Sequence, residues 1–243
     1  MMYAIKDGPR ILAIPNEHAI CPLCDGEVIS KCGDVKIWHW AHKVNQECDD
    51  FKESESEWHR TWKEYFQEAN REVLIKKYGN THYADIKTDY GLVIECQNSS
   101  ISFQKIRERE SFYGEMIWIF NCQDSVDRIE KKGYSISWFA PKRNFTYCRK
   151  PVYLDFGREL FLVGEVEKDR EGDIPVYIIS GEFYNIKEFI DKIMQIPSRS
   201  EVMPTMDAAD LSEGYYIADG KGWWKLKERY QYIINKNGEW MQR

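Results

Sequence analysis

A chain of 243 residues, 43% of them hydrophobic, is long enough to bury one large core or two small ones. Its formal net charge of −6 excludes a generally basic nucleic-acid binder, so any phosphate contact must come from local lysines and arginines. No apolar run reaches the roughly 18 residues of a membrane span and no signal-peptide core opens the sequence, which predicts a cytoplasmic protein with no membrane partner.

Residues 2–14 alternate weakly around Tyr3, Ile5, Ile11, Leu12 and Ile14, broken by Gly8-Pro9, and predict a hairpin. The seven cysteines are an odd number, scattered apart from Cys21-Pro-Leu-Cys24, which suits reduced thiols and a metal better than a disulfide framework. Cys21-x2-Cys24 sets two thiolates on one knuckle, and His39-x2-His42, within Trp38-His39-Trp40-Ala41-His42, offers the second pair of a tetrahedral Zn²⁺ site. Four protein ligands leave no open position, so the zinc is structural. The gap between the histidines is shorter than in an ordinary finger, and Cys32 and Cys48 lie close enough to substitute. The other reading makes the cysteines small core residues and the histidines ordinary hydrogen-bonded ones.

From Asp49 to about Lys77, Trp58, Trp62, Tyr65, Phe66, Ala69 and Val73 recur at spacings of three and four and predict an amphipathic helix. Its acidic, serine-containing start at 53–56 suits a helix N-terminus. Glu55 and His59 share one face beside the stripe; on spacing alone they and Lys63 are solvated residues.

Residues 83–97 carry two short apolar runs, Ala84 to Ile86 and Leu92 to Ile94, around an Asp89-Tyr90-Gly91 turn, the pattern of a β-hairpin. Asp85 and Glu95 then face each other, Glu95 and Gln97 share one side of their strand, and Ile94 and Cys96 fill the core. Two carboxylates brought together repel, and a hard divalent cation such as Mg²⁺ or Mn²⁺ is the usual reason to tolerate them. Phosphodiester hydrolysis is its obvious use. A structural hairpin with exposed acids has the same pattern.

Ile101 to Tyr113 predicts a second helix, on which Arg109 and Tyr113 stand one turn apart and can reach the same phosphate; alternatively Arg109 is exposed beside Glu108 and Glu110. Met116 to Phe120 reads as a buried strand, followed by a helix near Ser125 to Lys132 and a strand around Tyr134 to Trp138. Lys142-Arg143 and Arg149-Lys150, with Phe145 and Tyr147 between them, either track a phosphate backbone or form a solvated linker between Pro141 and Pro151. Further on come strand-like runs at Val152 to Asp155, Leu160 to Val163 and Val176 to Ile179, a helix from Asn185 to Met194 and a loop from Pro197 to Asp210. Tyr215 to Ala218, Trp223-Trp224 and Tyr230 to Ile234 are hairpin-like, and Lys221, Lys225, Lys227 and Arg229 suit either a bound partner or a solvated surface.

Asp85 after a short strand, then Glu95-Cys96-Gln97 on the next, resembles the PD-(D/E)xK nuclease superfamily, with Gln97 in place of the usual Lys. Ala84-Asp85-Ile86, the run Val93-Ile94-Glu95-Cys96-Gln97-Asn98-Ser99-Ser100-Ile101-Ser102, and a CPxC followed by His-aromatic-Ala-His resemble the competence protein CoiA family. The resemblance covers about residues 1–150. It implies a mixed α/β protein with a small zinc-ribbon-like module over 1–50, a restriction-endonuclease-like core over 51–150 and a β-rich C-terminal module, 151–243, with one helix and no assigned role. Glu55-Ser56-Glu57-Trp58-His59 and Lys63 then match the family's Glu-Ser-x-x-His-x3-Lys helix. The resemblance brings Glu55 to the metal with Asp85 and Glu95, and lets His59 or Lys63 supply what Gln97, which orients water without charge, lacks. Lys63 joins Arg109 and Tyr113 as a nucleic-acid contact. The implied activity is a Mg²⁺- or Mn²⁺-dependent deoxyribonuclease acting on single-stranded, duplex or branched DNA in uptake, recombination or phage defence. The alternatives are a catalytically silent nucleic-acid-binding protein and a zinc-containing subunit that meets a protein partner through its C-terminal module.

Overall fold

Short β-branched and aromatic runs punctuated by turns dominate the sequence, and the computed structural model is accordingly β-rich, with three α-helices among its described residues. Described are residues 1–44, 48–49, 51, 55–141 and 144–194, with the backbone of four short strands beyond 214. Lys142-Arg143, the expected loop from Pro197 to Asp210 and the side chains of Lys221, Lys225, Lys227 and Arg229 lie outside them. None of the described helices is long and apolar enough to cross a membrane. The chain divides into two compact units, Met1–Lys87 with Ile94–Ser99, and Thr88–Val93 with Ser100–Arg243.

In the first unit the predicted opening hairpin forms from β1 (Tyr3–Ile5) and β2 (Arg10–Leu12). With β3 (His18–Ile20), β4 (Glu27–Lys31) and β5 (His39–His42) it makes a five-stranded antiparallel sheet in the order β2-β1-β3-β4-β5. Ala4, Ala19, Cys21, Val28 and Trp40 form its core. Helix α1 (Glu57–Glu64) starts at Ser56, whose Oγ accepts from the His59 backbone N–H at 3.3 Å.

The helix ends at Glu64 rather than near Lys77. Val73 instead belongs to β6 (Arg71–Lys77), which turns back on β7 (Asn80–Lys87) with Lys77 paired to Asn80. The two residues between them, Tyr78 (φ 53°) and Gly79 (φ 80°), have the positive φ pair of a hairpin turn, and this long-range pairing overrides the helical spacing of Ala69 and Val73. Strand β8 (Val93–Gln97) neighbours β7, giving the order β8-β7-β6 and the predicted placement of Asp85 and Glu95 on adjacent strands.

The second unit holds α2 (Phe103–Tyr113), the buried β9 (Met116–Asn121), β10 (Ile129–Lys132), β11 (Ser135–Phe139), β12 (Val152–Asp155), β13 (Glu159–Glu171), β14 (Ile174–Asn185) and α3 (Ile186–Met194). Its strand order is β10-β11-β14-β13-β12-β9, with β9 and β12 parallel and the other pairs antiparallel. The helix expected from Ser125 to Lys132 is instead a 3₁₀ segment, Gln123–Arg128, followed by β10, because Lys132 pairs with Ser135 around a turn at Gly133 (φ 61°). The distal hairpins join β15 (Tyr215–Asp219) to β16 (Gly222–Leu226) and β17 (Tyr232–Ile234) to β18 (Trp240–Gln242).

Glu110 pins α2 within this unit. Its buried Oε1 accepts from the backbone N–H of Arg149 (2.7 Å) and Lys150 (3.0 Å) and from the Trp118 indole (3.2 Å), while Oε2 meets Arg107 at 3.3 Å. Glu110→Ala orphans three donors and is expected to cost roughly 3 kcal/mol in urea unfolding. A loss below about 1 kcal/mol would remove Glu110 as a structural pin.

Candidate metal centres

Two clusters gather the chemistry of the first unit. In one, Cys21, Cys24, His42 and Cys48 bring their ligand atoms within 4.8 Å of one another. Cys21 Sγ lies 3.7 Å from Cys48 Sγ, and Cys24 Sγ lies 3.3 Å from His42 Nε2. A tetrahedral zinc with Zn–S bonds near 2.3 Å sets its sulfurs about 3.8 Å apart, so both the donor set and the spacing fit zinc. All seven cysteines are free thiols. Burial, followed by the proximity of Cys21, pushes the Cys48 thiol up from its ordinary value.

The fourth member of this cluster is Cys48 and not His39, and Cys32 lies outside it. The reason is the pleat of β5: residues three apart on a strand point to opposite faces, so His39 and His42 cannot serve one ion together. His39 Nδ1 is engaged by the Ile37 carbonyl at 2.7 Å. Cys48 is delivered by its neighbour Asp49, whose Oδ2 accepts from the Tyr83 N–H at 2.8 Å and whose Oδ1 meets His82 Nδ1 at 2.9 Å. Phe51 stacks on the His82 ring at 3.7 Å.

The second cluster surrounds Lys63. Its ammonium lies 2.9 Å from Glu55 Oε2, 3.2 Å from Glu72 Oε1 and 3.2 Å from Asp85 Oδ1. The side chains of Lys63, Glu55 and Glu72 are 2–4% exposed, and Asp85 is 23% exposed. Burial would lower the Lys63 pKa, but Glu72, Asp85 and Glu55 outweigh it and hold the ammonium well above its usual range. Asp85 and Glu95 exchange contacts with each other's strand: Cys96 N–H donates to Asp85 Oδ2 at 3.0 Å, and Asp85 N–H to Glu95 Oε1 at 3.2 Å. These bonds explain how β7 and β8 tolerate two acids; Glu95 and Gln97 are both buried. Glu55 Oε1 is buried with no hydrogen-bond partner among the described residues.

His59 is placed by both ring nitrogens. Nδ1 accepts from the Ser56 N–H at 3.3 Å and Nε2 meets the Cys96 carbonyl at 3.1 Å, a pattern that requires the proton on Nε2. Gln97 Nε2 donates to the Ser99 carbonyl at 3.1 Å. Cys96 itself is a core residue whose thiol is pushed up by burial and then by Asp85.

Glu55 and Asp85 thus meet at Lys63, Glu95 adjoins Asp85 and His59 reaches the Cys96 carbonyl, but three expected nucleic-acid contacts do not reach a surface. Lys63 is enclosed by carboxylates. Arg109, 4% exposed, lies over the Trp118 ring at 5.8 Å, and Tyr113 is 2% exposed. Both sit on the apolar side of α2, where their long side chains add to the core. Glu72 was not singled out from sequence; the signal was available in the hairpin register, since Arg71 pairs with Ile86 and Val73 with Ala84, which sets Glu72 opposite Asp85.

Residues 10–51 match the family model of the N-terminal domain of competence protein CoiA. No curated protein and no solved structure matches the chain. The match holds all four ligands of the Cys3His cluster and ends before β6, β7 and β8. It therefore supports a CoiA-like front to the chain, and the acidic cluster stands on its own geometry.

Proposed function

We propose that this protein is a metal-dependent nuclease that hydrolyses DNA phosphodiester bonds at the Lys63 cluster, with Asp85, Glu95 and Glu55 as the residues that would hold Mg²⁺ or Mn²⁺. What supports the reading is a charge count: three carboxylates, Glu55, Glu72 and Asp85, meet the single ammonium of Lys63, and a fourth, Glu95, accepts from the Asp85 N–H beside them. One ammonium against three contacting carboxylates leaves an excess of two acids at a largely buried place, and oxygen donors alone suit a hard divalent cation. The buried, unpartnered Glu55 Oε1 adds an available donor. Bound there, such a cation would polarise the phosphate and lower the pKa of the attacking water.

The chain's own residues do the rest. Lys63 supplies the positive charge that Gln97 lacks, from a helix rather than from the Glu-x-Gln strand. His59 fixes the Cys96 carbonyl beside Asp85 and Glu95, and the backbone N–H groups of Asp85 and Cys96 hold the two acids in register. The Cys3His cluster serves as a structural zinc site, and the CoiA-like N-terminal match fits a setting in DNA uptake or recombination.

The test is incubation of the protein with linear, circular and single-stranded DNA in Mg²⁺ and in Mn²⁺. Cleavage is expected, with Asp85→Ala and Glu95→Ala each slowing it roughly 10²- to 10³-fold, the equivalent of several kcal/mol of lost charge stabilisation. Intact DNA in every lane sinks the reading. It would favour a silent DNA-binding protein, a second reading that draws support from the Lys63 ammonium resting on Glu55 and Asp85, the oxygens a cation needs.

A further inference from the structure

Among the acids that meet Lys63, Asp85 is held by one backbone amide, that of Cys96, and Glu72 by two. Oε1 meets Lys63 at 3.2 Å, while Oε2 accepts from the backbone N–H groups of Met2 (2.8 Å) and Tyr3 (3.3 Å). The backbone beneath it is in a conformation that favours glycine, with φ 42° at a glutamate, a strain that persists only where the surroundings enforce it. The surroundings are visible: the Arg10 guanidinium donates to the Glu72 carbonyl at 3.1 Å and to the Arg71 carbonyl at 2.9 Å, and lies over the Tyr3 ring at 4.1 Å. The β1–β2 hairpin thus grips Glu72 at its carboxylate and at its main chain.

Lysine has three N–H donors, and the Lys63 ammonium has three carboxylate neighbours, Glu55, Glu72 and Asp85. Glu55 and Asp85 are the acids that a divalent cation would recruit. Glu72 is tied by two amides, Met2 and Tyr3, and has no place among the acids proposed for the cation, so it is the neighbour that keeps its hold on Lys63 when the other two turn to a cation. We propose that Glu72 is the positioning residue of this centre: gripped by the β1–β2 hairpin, it holds the Lys63 ammonium so that Glu55 and Asp85 remain available to a divalent cation. The proposal rests on the nuclease reading and assigns the five-stranded sheet a part in it beyond carrying zinc.

Glu72→Gln keeps an oxygen for the two amides and removes the charge that attracts Lys63, which then falls to Glu55 and Asp85. Mn²⁺ binding to the zinc-loaded protein and DNA cleavage are measured for the parent, Glu72→Gln and Glu72→Asp, with circular dichroism to establish folding. Glu72→Gln is expected to weaken Mn²⁺ binding and lower kcat by about 10- to 100-fold while KM for DNA stays within about threefold, as for outer residues that orient ligands. Glu72→Asp keeps the charge and recovers part of both; it also serves for comparison with the parent should Glu72→Gln not fold. A parent that binds Mn²⁺ and cuts DNA, with folded Glu72 variants that do both equally well, overturns the positioning role and leaves the nuclease reading intact. A parent that neither binds Mn²⁺ nor cuts overturns both.

Discussion

Cys48→Ala is expected to strip zinc from the protein, whereas His39→Ala leaves it bound. Structural zinc contributes roughly 10–16 kcal/mol of binding free energy, so one of four ligands carries about 2.5–4 kcal/mol, or a loss of about 10²- to 10³-fold in affinity. Among the described residues His39 meets the Ile37 carbonyl, and its removal is expected to cost the protein about 1 kcal/mol. Metal content after dialysis against a chelator of intermediate affinity reads the difference directly: about one zinc per chain in the parent and in His39→Ala, and far less in Cys48→Ala. The reverse pattern would restore the histidine pair and require β5 to lose its pleat. Chelating the parent should also melt the five-stranded sheet, because Cys21, Val28 and Trp40 share one small core and a metal commonly substitutes for core in sheets of this size.

The histidine assignment also marks where sequence reasoning stops. Cys-x2-Cys is a local motif, and its two thiolates were legible at once. The other two ligands depend on whether 39–42 is helix or strand, because a spacing of three brings side chains together on one and apart on the other. The same ambiguity cost the reading of residues 66–77, where Ala69 and Val73 kept the helical spacing while the Tyr78-Gly79 turn dictated a strand. Recognising that turn would have counted Glu72 to the position opposite Asp85. Asp85 and Glu95 were legible because alternation, turn chemistry and charge agreed. Arg109 and Tyr113 were not, since one helical turn says that two residues share a face without saying which face is buried.

Lys63→Met is the most informative change at the second cluster. It keeps an unbranched apolar stem and deletes the ammonium with its charge and N–H donors, leaving Glu55, Glu72 and Asp85 facing one another. Breaking a buried ion pair by removing one partner costs about 3–5 kcal/mol, because the remaining charges have lost both water and partner. For a chain of this length that is a fall in Tm on the order of 10 °C. The parent's dependence on pH has a definite sign. The folded pKa of Lys63 is raised, so its contribution is complete below the ordinary lysine value near 10.4 and is lost only as pH climbs through the higher folded value. A thermal scan at pH 7 to 9 should therefore show the same gap between parent and variant throughout. Added Mn²⁺ should stabilise Lys63→Met more than the parent, since the cation then has Glu55 and Asp85 without competition from the ammonium. A variant as stable as the parent, or one indifferent to Mn²⁺, would mean that these carboxylates are neutral when folded, and the charge count on which the nuclease reading rests would fail with it.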